Sequence, residues 1–120
     1  MTHLSNAEFC LVLTTASSEA EATAIAHTLV QEKLAACVNL APVRSIYIWQ
    51  DQLQQEPEWQ LIIKTTLNCF PALQERILAL HSYGVPEILV IPVQSGSPSY
   101  LAWIGTQVKV KKISDFDSAL

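Results

Sequence analysis

Glycine is scarce in this 120-residue sequence, with three residues and none in a G-x-G-x-x-G or G-K-S/T arrangement, so no glycine-rich phosphate cradle is present. Metal and nucleophile motifs are missing too: there is no C-x-x-C, H-x-x-H or H-E-x-x-H, and no serine in a G-x-S-x-G elbow. Basic residues are few, seven Lys and Arg against eleven Asp and Glu. With a net charge of −4, the basic face that a nucleic-acid binder normally shows is not evident before the tail. The one basic cluster, Lys109-Val110-Lys111-Lys112, reads as a solvated end. No apolar run approaches the roughly 20 residues that span a bilayer, so direct membrane insertion is not expected. Residues Met1 to Asn6 do not form a charged leader ahead of an apolar block, which argues against secretion. Cys10, Cys37 and Cys69 are odd in number and far apart, the usage of reduced thiols in a cytoplasmic protein and not of a disulfide frame.

What remains is strongly apolar. Half the residues are hydrophobic and 15% are charged, enough for one domain over residues 1–120 with its own core, frayed at 1–6 and 113–120. Phe9-Cys10-Leu11-Val12-Leu13 is a continuous apolar run, the mark of a strand buried on both faces. Ser18-Glu19-Ala20-Glu21 is a capping box, with the Ser18 hydroxyl accepting from the Glu21 amide and the Glu21 carboxylate reaching back. The helix it opens runs to about Ala35, with Ala22, Ile25, Ala26, Leu29, Val30 and Leu34 on one stripe.

A second helix is expected after Asn68, a cap, with Pro71 in its first turn and Phe70, Leu73, Ile77 and Leu80 facing inward. Tyr83-Gly84 ends it, glycine being suited to the left-handed conformation past a helix terminus. Ile88 to Ile91 is another apolar strand, and Ser97-Pro98 caps and opens a third helix carrying Leu101, Trp103 and Ile104. The order strand, helix, two strands, helix, strand, helix closes as an α+β ferredoxin-like βαββαβ sandwich with an extra C-terminal helix. The two continuous apolar strands take the centre of the sheet in this reading.

The stretch from Ala36 to Thr66 is a hairpin too long for its globule. Each arm has about thirteen residues, roughly 40 Å at 3.3 Å per residue. A compact chain of this length has a radius of gyration of about 14 Å. The outer half therefore lacks a core of its own, yet it carries Ile46, Tyr47, Ile48, Trp49 and Trp59. The economical cover is another copy of the chain. A turn at Asp51-Gln52 sets Asn39 opposite Lys64 and Ser45 opposite Glu58, and Pro42 suggests a bulge or bend at an edge strand.

The residues able to carry chemistry are scattered. Lys64 follows Ile62-Ile63 in an apolar arm, so its ammonium must reach water or meet a carboxylate, with Glu56, Glu58 and Glu87 as candidates. The same lysine also suits a structural or intersubunit ion pair. His81-Ser82-Tyr83-Gly84-Val85-Pro86-Glu87 is the densest polar loop. His81 is a candidate metal ligand or proton shuttle, or a helix-terminal imidazolium. Tyr47, Trp49, Tyr100 and Trp103 either line a pocket or pack a subunit seam.

Taken together these segments resemble the CutA family, the divalent-cation tolerance proteins. The carriers are Glu32-Lys33-Leu34-Ala35-Ala36-Cys37-Val38-Asn39, Tyr47-x-Trp49, Glu58-x5-Lys64-Thr65, His81-x-Tyr83-x-x-Pro86-Glu87 and Tyr100-Leu101-x-Trp103-Ile104. The resemblance spans nearly everything from Leu11 to Ile104. It implies a cytoplasmic homotrimer, architecturally similar to PII signalling trimers, linked to copper and other divalent ions. The chain departs from the family pattern at Ser82, where H-P-Y has proline, and at Asp51, where W-x-G has glycine. Thr14 and Leu80 stand where some bacterial relatives place a copper-linked cysteine and histidine, leaving His81 alone of that set.

The expectation that follows is a non-enzymatic trimer binding a metal ion, Cu²⁺ or another divalent cation, or a small ligand at clefts between subunits. Trp49, Glu58, Lys64, Tyr83, Glu87 and Trp103 would line the cleft, and His81 would be the metal ligand. The alternatives are an anchoring or PII-like signalling trimer that takes a protein partner or small anion, and an enzyme using His81 or Glu87 for proton transfer.

Overall fold

A computed structural model describes residues 8–110. Two helices pack on one face of a four-stranded antiparallel sheet, in the chain order β1 (Phe9–Ala16), α1 (Glu19–Gln31), β2 (Cys37–Trp49), β3 (Gln52–Thr66), α2 (Phe70–Leu80), β4 (Leu89–Pro92) and α3 (Pro98–Gln107). The strands lie in the order β2-β3-β1-β4, the ferredoxin-like arrangement expected from the element order. The residues expected to fray, 1–6 and 113–120, lie outside the described part.

Alternation along the central strands decides where the core sits. Cys10, Val12 and Ala16 of β1 and Leu61 and Ile63 of β3 point to one face, where they bury Ala22, Ile25 and Leu29 of α1 and Leu73 and Ile77 of α2. Phe70 and Leu80 pack at the margin of the same core, as the α2 periodicity predicts. On the opposite face, Leu101 and Ile104 of α3 meet Phe9 and Ala36 at one end.

Local signals place the helix starts. The Ser18 side chain accepts from the Glu21 N–H at 3.1 Å, and Ser97 accepts from Tyr100 N–H ahead of Pro98. The helix ends depart from expectation. α1 stops at Gln31, not Ala35, because Lys33 takes a left-handed φ of 63° and Leu34 N–H returns to the Leu29 carbonyl at 2.9 Å. Leu34 still buries fully, from beyond the helix, while Val30 is exposed. A 3₁₀ turn at Leu67–Cys69 precedes α2, so Asn68 lies in that turn and Cys69 is the cap position, without a side-chain bond. Gly84 has no positive φ; α2 ends because His81 turns extended, at φ −81° and ψ 142°.

The β2–β3 hairpin dominates the shape, giving a longest dimension of 52 Å against 23 Å for the shortest. β1 pairs with β3 only from Trp59 onward, so Val43–Trp49 and Gln52–Glu58 form a bare two-stranded ribbon. Such a ribbon is marginal without a packed face. Ile48 is 71% exposed and Leu53 74% exposed, in line with an outer half that has no core of its own.

The turn is Gln50-Asp51, one residue earlier than expected, with φ of 50° and 62°. Two left-handed residues match the primed turns that follow strand twist, although the glycine or asparagine those turns favour is absent. The shift places Asn39 opposite Ile62, Ser45 opposite Glu56 and Cys37 opposite Lys64. Pro42 introduces no bulge: the ladder is unbroken from Cys37 to Trp49, and proline is tolerated because β2 is an edge strand. β4 is the other edge, not a central strand, and Leu89 is 55% exposed there.

Candidate functional site

Odd-numbered Leu61 and Ile63 face the helices, so Glu56, Glu58, Ile62 and Lys64 face the open side of the sheet. The loop after α2 folds over the Glu58 end of that side. His81 Nε2 sits 2.6 Å from the Thr15 carbonyl oxygen, which can only accept, so Nε2 carries the proton. His81 Nδ1 then accepts the Tyr83 N–H at 3.0 Å. The imidazole side chain is 0% exposed and both its nitrogens are engaged.

The Glu21 carboxylate completes the attachment. It accepts from Ser82 N–H at 2.8 Å, from the Ser82 hydroxyl at 3.1 Å and from the Ser17 hydroxyl at 3.1 Å. The second half of the expected capping box is therefore turned outward, and Glu21 clamps the loop instead of reaching back to its own helix start. Burial pushes its carboxyl up, but the Ser82 and Ser17 bonds outweigh that and hold it below the ordinary carboxylate value.

Clamped this way, the loop presents Tyr83. Its hydroxyl donates to Glu58 Oε2 at 2.7 Å, and its ring lies 4.7 Å from that of His81. Burial first, then the bond to Glu58 and its charge, push the Tyr83 phenol far above its usual value, so it stays a donor. Glu58 is only 8% exposed. Among the described residues its Oε1 has no hydrogen-bond partner, and no Lys, Arg or His lies within ion-pair distance of it.

Between loop and hairpin is an open cavity of about 640 Å³, with Tyr47, Trp49, Glu56 and Glu58 on the hairpin wall and Tyr83 and Glu87 on the loop wall. Trp49, Glu58, Tyr83 and Glu87, expected to share a cleft, are thus brought together. Lys64 and Trp103 are not with them. Lys64 is six residues from Glu58 on the same strand, about 20 Å at 3.3 Å per residue. Its Nζ reaches the Tyr100 hydroxyl at 3.4 Å and lies 5.6 Å from that ring's centre, and Tyr100 packs against Trp103 at 5.5 Å. The expected residues therefore form two groups, an acidic one and a basic aromatic one, at opposite ends of one sheet face.

His81, the expected metal ligand, has its one ring lone pair committed to Tyr83 N–H. Among the described residues no three His, Cys, Asp or Glu side chains converge on a point that could hold a metal ion. Within one chain the donors therefore do not fit a copper centre. Glu21 was missed by sequence reading because its capping role explained it fully; only Ser82, replacing a residue without an N–H, marks the loop as needing an acceptor.

The sheet order and overlong hairpin define a ferredoxin-like α+β protein whose open sheet face carries Glu58 and Lys64. Residues 10–107 match the family model described as CutA1 divalent ion tolerance protein, and the chain belongs to that family. It is 48% identical over 95 residues to the divalent-cation tolerance protein CutA of Thermus thermophilus, covering 78% of this chain and 92% of the relative. It is 42% identical over 106 residues to the protein of that name in Escherichia coli strain K12 / DH10B, covering 88% and 95%. Among solved structures, CutA1 of Thermus thermophilus superposes with a TM-score of 0.82 at 45% identity, over 84% of this chain and 99% of that one. CutA1 of Oryza sativa gives 0.84 at 34% identity, over 87% and 96%. The periplasmic divalent cation tolerance protein CutA of Archaeoglobus fulgidus gives 0.83 at 36%, over 84% and 99%.

Proposed function

We propose that this chain serves divalent-cation tolerance as a non-enzymatic, cytoplasmic homotrimer, with a metal ion or small ligand bound in clefts between subunits. The observation that carries the reading is Glu58, a buried carboxylate held by Tyr83 and open on its other oxygen to an acid-lined cavity with no basic side chain among the described residues that line it. A cation entering that space would meet the oxygen that Tyr83 leaves free. The trimer is supported by the bare hairpin ribbon, whose exposed Ile46, Ile48 and Leu53 need cover. It also offers a route for the Lys64 and Trp103 group of one copy to approach the acidic cavity of the next. A copper site on this reading draws ligands from more than one subunit, because the described residues of one chain supply too few.

Light scattering at micromolar concentration, expected to give three times the chain mass, tests the assembly. Isothermal titration with Cu²⁺ on wild type, His81→Ala and Glu58→Gln tests the site. Binding lost in Glu58→Gln supports it, and equal binding in wild type and Glu58→Gln refutes it. Unchanged binding in His81→Ala removes the imidazole from the ligand set. The second reading, a PII-like or anchoring trimer, draws on Lys64, whose ammonium has no carboxylate within ion-pair distance among the described residues and could meet a small anion.

A further inference from the structure

We propose that Glu21 is a positioning residue for the Glu58 site: from the helix face of the sheet, and through Ser82, it aims the Tyr83 hydroxyl at Glu58 on the open face. The inference rests on the reading that Glu58 belongs to a ligand site, and it names what sets the geometry of that site. Every bond involved lies within one chain, whatever covers the hairpin.

Peptide units are planar, so holding the N–H groups on either side of one residue constrains both of its dihedrals. At Ser82 both are held. Its own N–H donates to Glu21 Oε2 at 2.8 Å, and the next N–H, that of Tyr83, donates to His81 Nδ1 at 3.0 Å. The His81 ring is anchored in turn, with its side chain fully buried and Nε2 on the Thr15 carbonyl. Downstream there is no comparable hold. Residues 84–87 make no hydrogen bond among the described residues, a Cβ at Gly84 would meet nothing within 4 Å, and Val85 is 77% exposed. The place of Tyr83 is therefore set from the Ser82 side.

The two holds differ in what they fix. A single bond to His81 leaves the Tyr83 peptide free to swing about the line of that bond. Glu21 removes the freedom by taking the Ser82 N–H on Oε2 and the Ser82 hydroxyl on Oε1, which Ser17 Oγ also steadies at 3.1 Å. The Tyr83 hydroxyl stands at the far end of its ring, so a small backbone swing displaces it widely. Its 2.7 Å bond to Glu58 Oε2 tolerates little displacement. Because the Glu21 bonds are exposed, they add modestly to stability; their larger effect is on direction. The device needs an N–H at position 82. Proline fits the backbone there, since His81 is extended at φ −81° and ψ 142°, but it removes both donors that Glu21 accepts.

The test is the cost of Tyr83→Phe, which deletes the hydroxyl alone, in thermal melts of the whole protein at one concentration. Wild type should lose about 6 °C in Tm and Glu21→Ala no more than about half that, because the bond is already misaligned there. No hydrogen bond joins Tyr83 to Glu21, so a glutamate that only adds stability predicts equal losses. Losses equal within about 2 °C overturn the inference. Glu21→Gln keeps an acceptor oxygen for the Ser82 N–H and should restore most of the Tyr83→Phe cost. If it behaves as Glu21→Ala does, charge and not aim is at work, and the inference fails. In Ser82→Pro, adding Glu21→Ala should no longer alter the cost, and a persisting effect overturns the route through Ser82. Titration with CuCl₂ separates positioning from the ligand reading. Copper binding that needs Glu58 should weaken about threefold in Glu21→Ala. Binding that needs Glu58 yet is equal in wild type and Glu21→Ala overturns the inference. No binding by wild type refutes the ligand reading instead, and the melts then decide the positioning by themselves.

Discussion

Replacing Glu21 by Ala should loosen the loop that carries Tyr83 while leaving the core untouched. The carboxylate accepts three hydrogen bonds, of which that from the Ser82 N–H at 2.8 Å is the shortest. A hydrogen bond to a charged acceptor is worth about 1.5–3 kcal/mol. All three bonds are exposed, so water replaces much of each and the total loss comes to about 1 kcal/mol. For a domain of this length each kcal/mol shifts Tm by about 4 °C, giving a fall of about 4 °C. Circular dichroism melts must be run at one protein concentration, since assembly makes Tm concentration-dependent.

The same residue sets an acid limb. Its folded pKa lies below the ordinary 4.5, so its contribution is fully present above that value and is lost as pH falls through the depressed folded value. Glu21→Gln, which does not titrate, should remove this share of the loss of urea midpoint below about pH 5. Amide exchange at Ser82 and Tyr83 should quicken in Glu21→Ala. A fall in Tm under about 2 °C, or acid limbs that run parallel in wild type and Glu21→Gln, would refute the clamp.

Three further outcomes follow from single positions. Asp51→Gly should raise stability by about 0.5–1 kcal/mol, because φ is 62° there and glycine adopts that region without a Cβ penalty; a fall in Tm would contradict it. Thr14 Oγ1 is buried without a partner, so Thr14→Val should stabilise by about 1 kcal/mol in urea melts, and a loss of stability would reveal a partner for the hydroxyl. In the native state a thiol reagent at pH 8 should label Cys37 alone: Cys10 and Cys69 are buried, and burial with the neighbouring Cys69 pushes the Cys10 thiol up to about 11. Mass spectrometry counting more than one label per folded chain would count against that ordering.

Several elements could be read from local chemistry alone. Ser18 and Ser97-Pro98 mark helix starts through bonds made within four residues, and the run from Phe9 to Leu13 identifies a central strand by having no polar side. The overlong hairpin follows from counting residues against the size of the globule. Register was less accessible. Gln50-Asp51 lacks the glycine that announces a primed turn, and a one-residue error there moved the partner of Asn39 from Lys64 to Ile62. Edge position was misread for β4 because apolar composition looks the same whether a strand is buried by its own chain or left bare.

The candidate site divides along the same line. Glu58, Tyr83 and Glu87 could be named in advance, as polar or aromatic residues set among apolar neighbours. That Tyr83 bonds Glu58 and that His81 Nε2 meets the Thr15 carbonyl depends on contacts 25 and 66 residues apart in sequence. Residue types and periodicity by themselves determined the elements, the family resemblance and the surplus length of the hairpin, because each depends on neighbours in the chain. Only the tertiary structure decided that Lys64 and Trp103 stand apart from the acidic cavity and that Glu21 clamps its loop. Those relations are distances through space, set by strand pairing and packing that no short window of sequence contains.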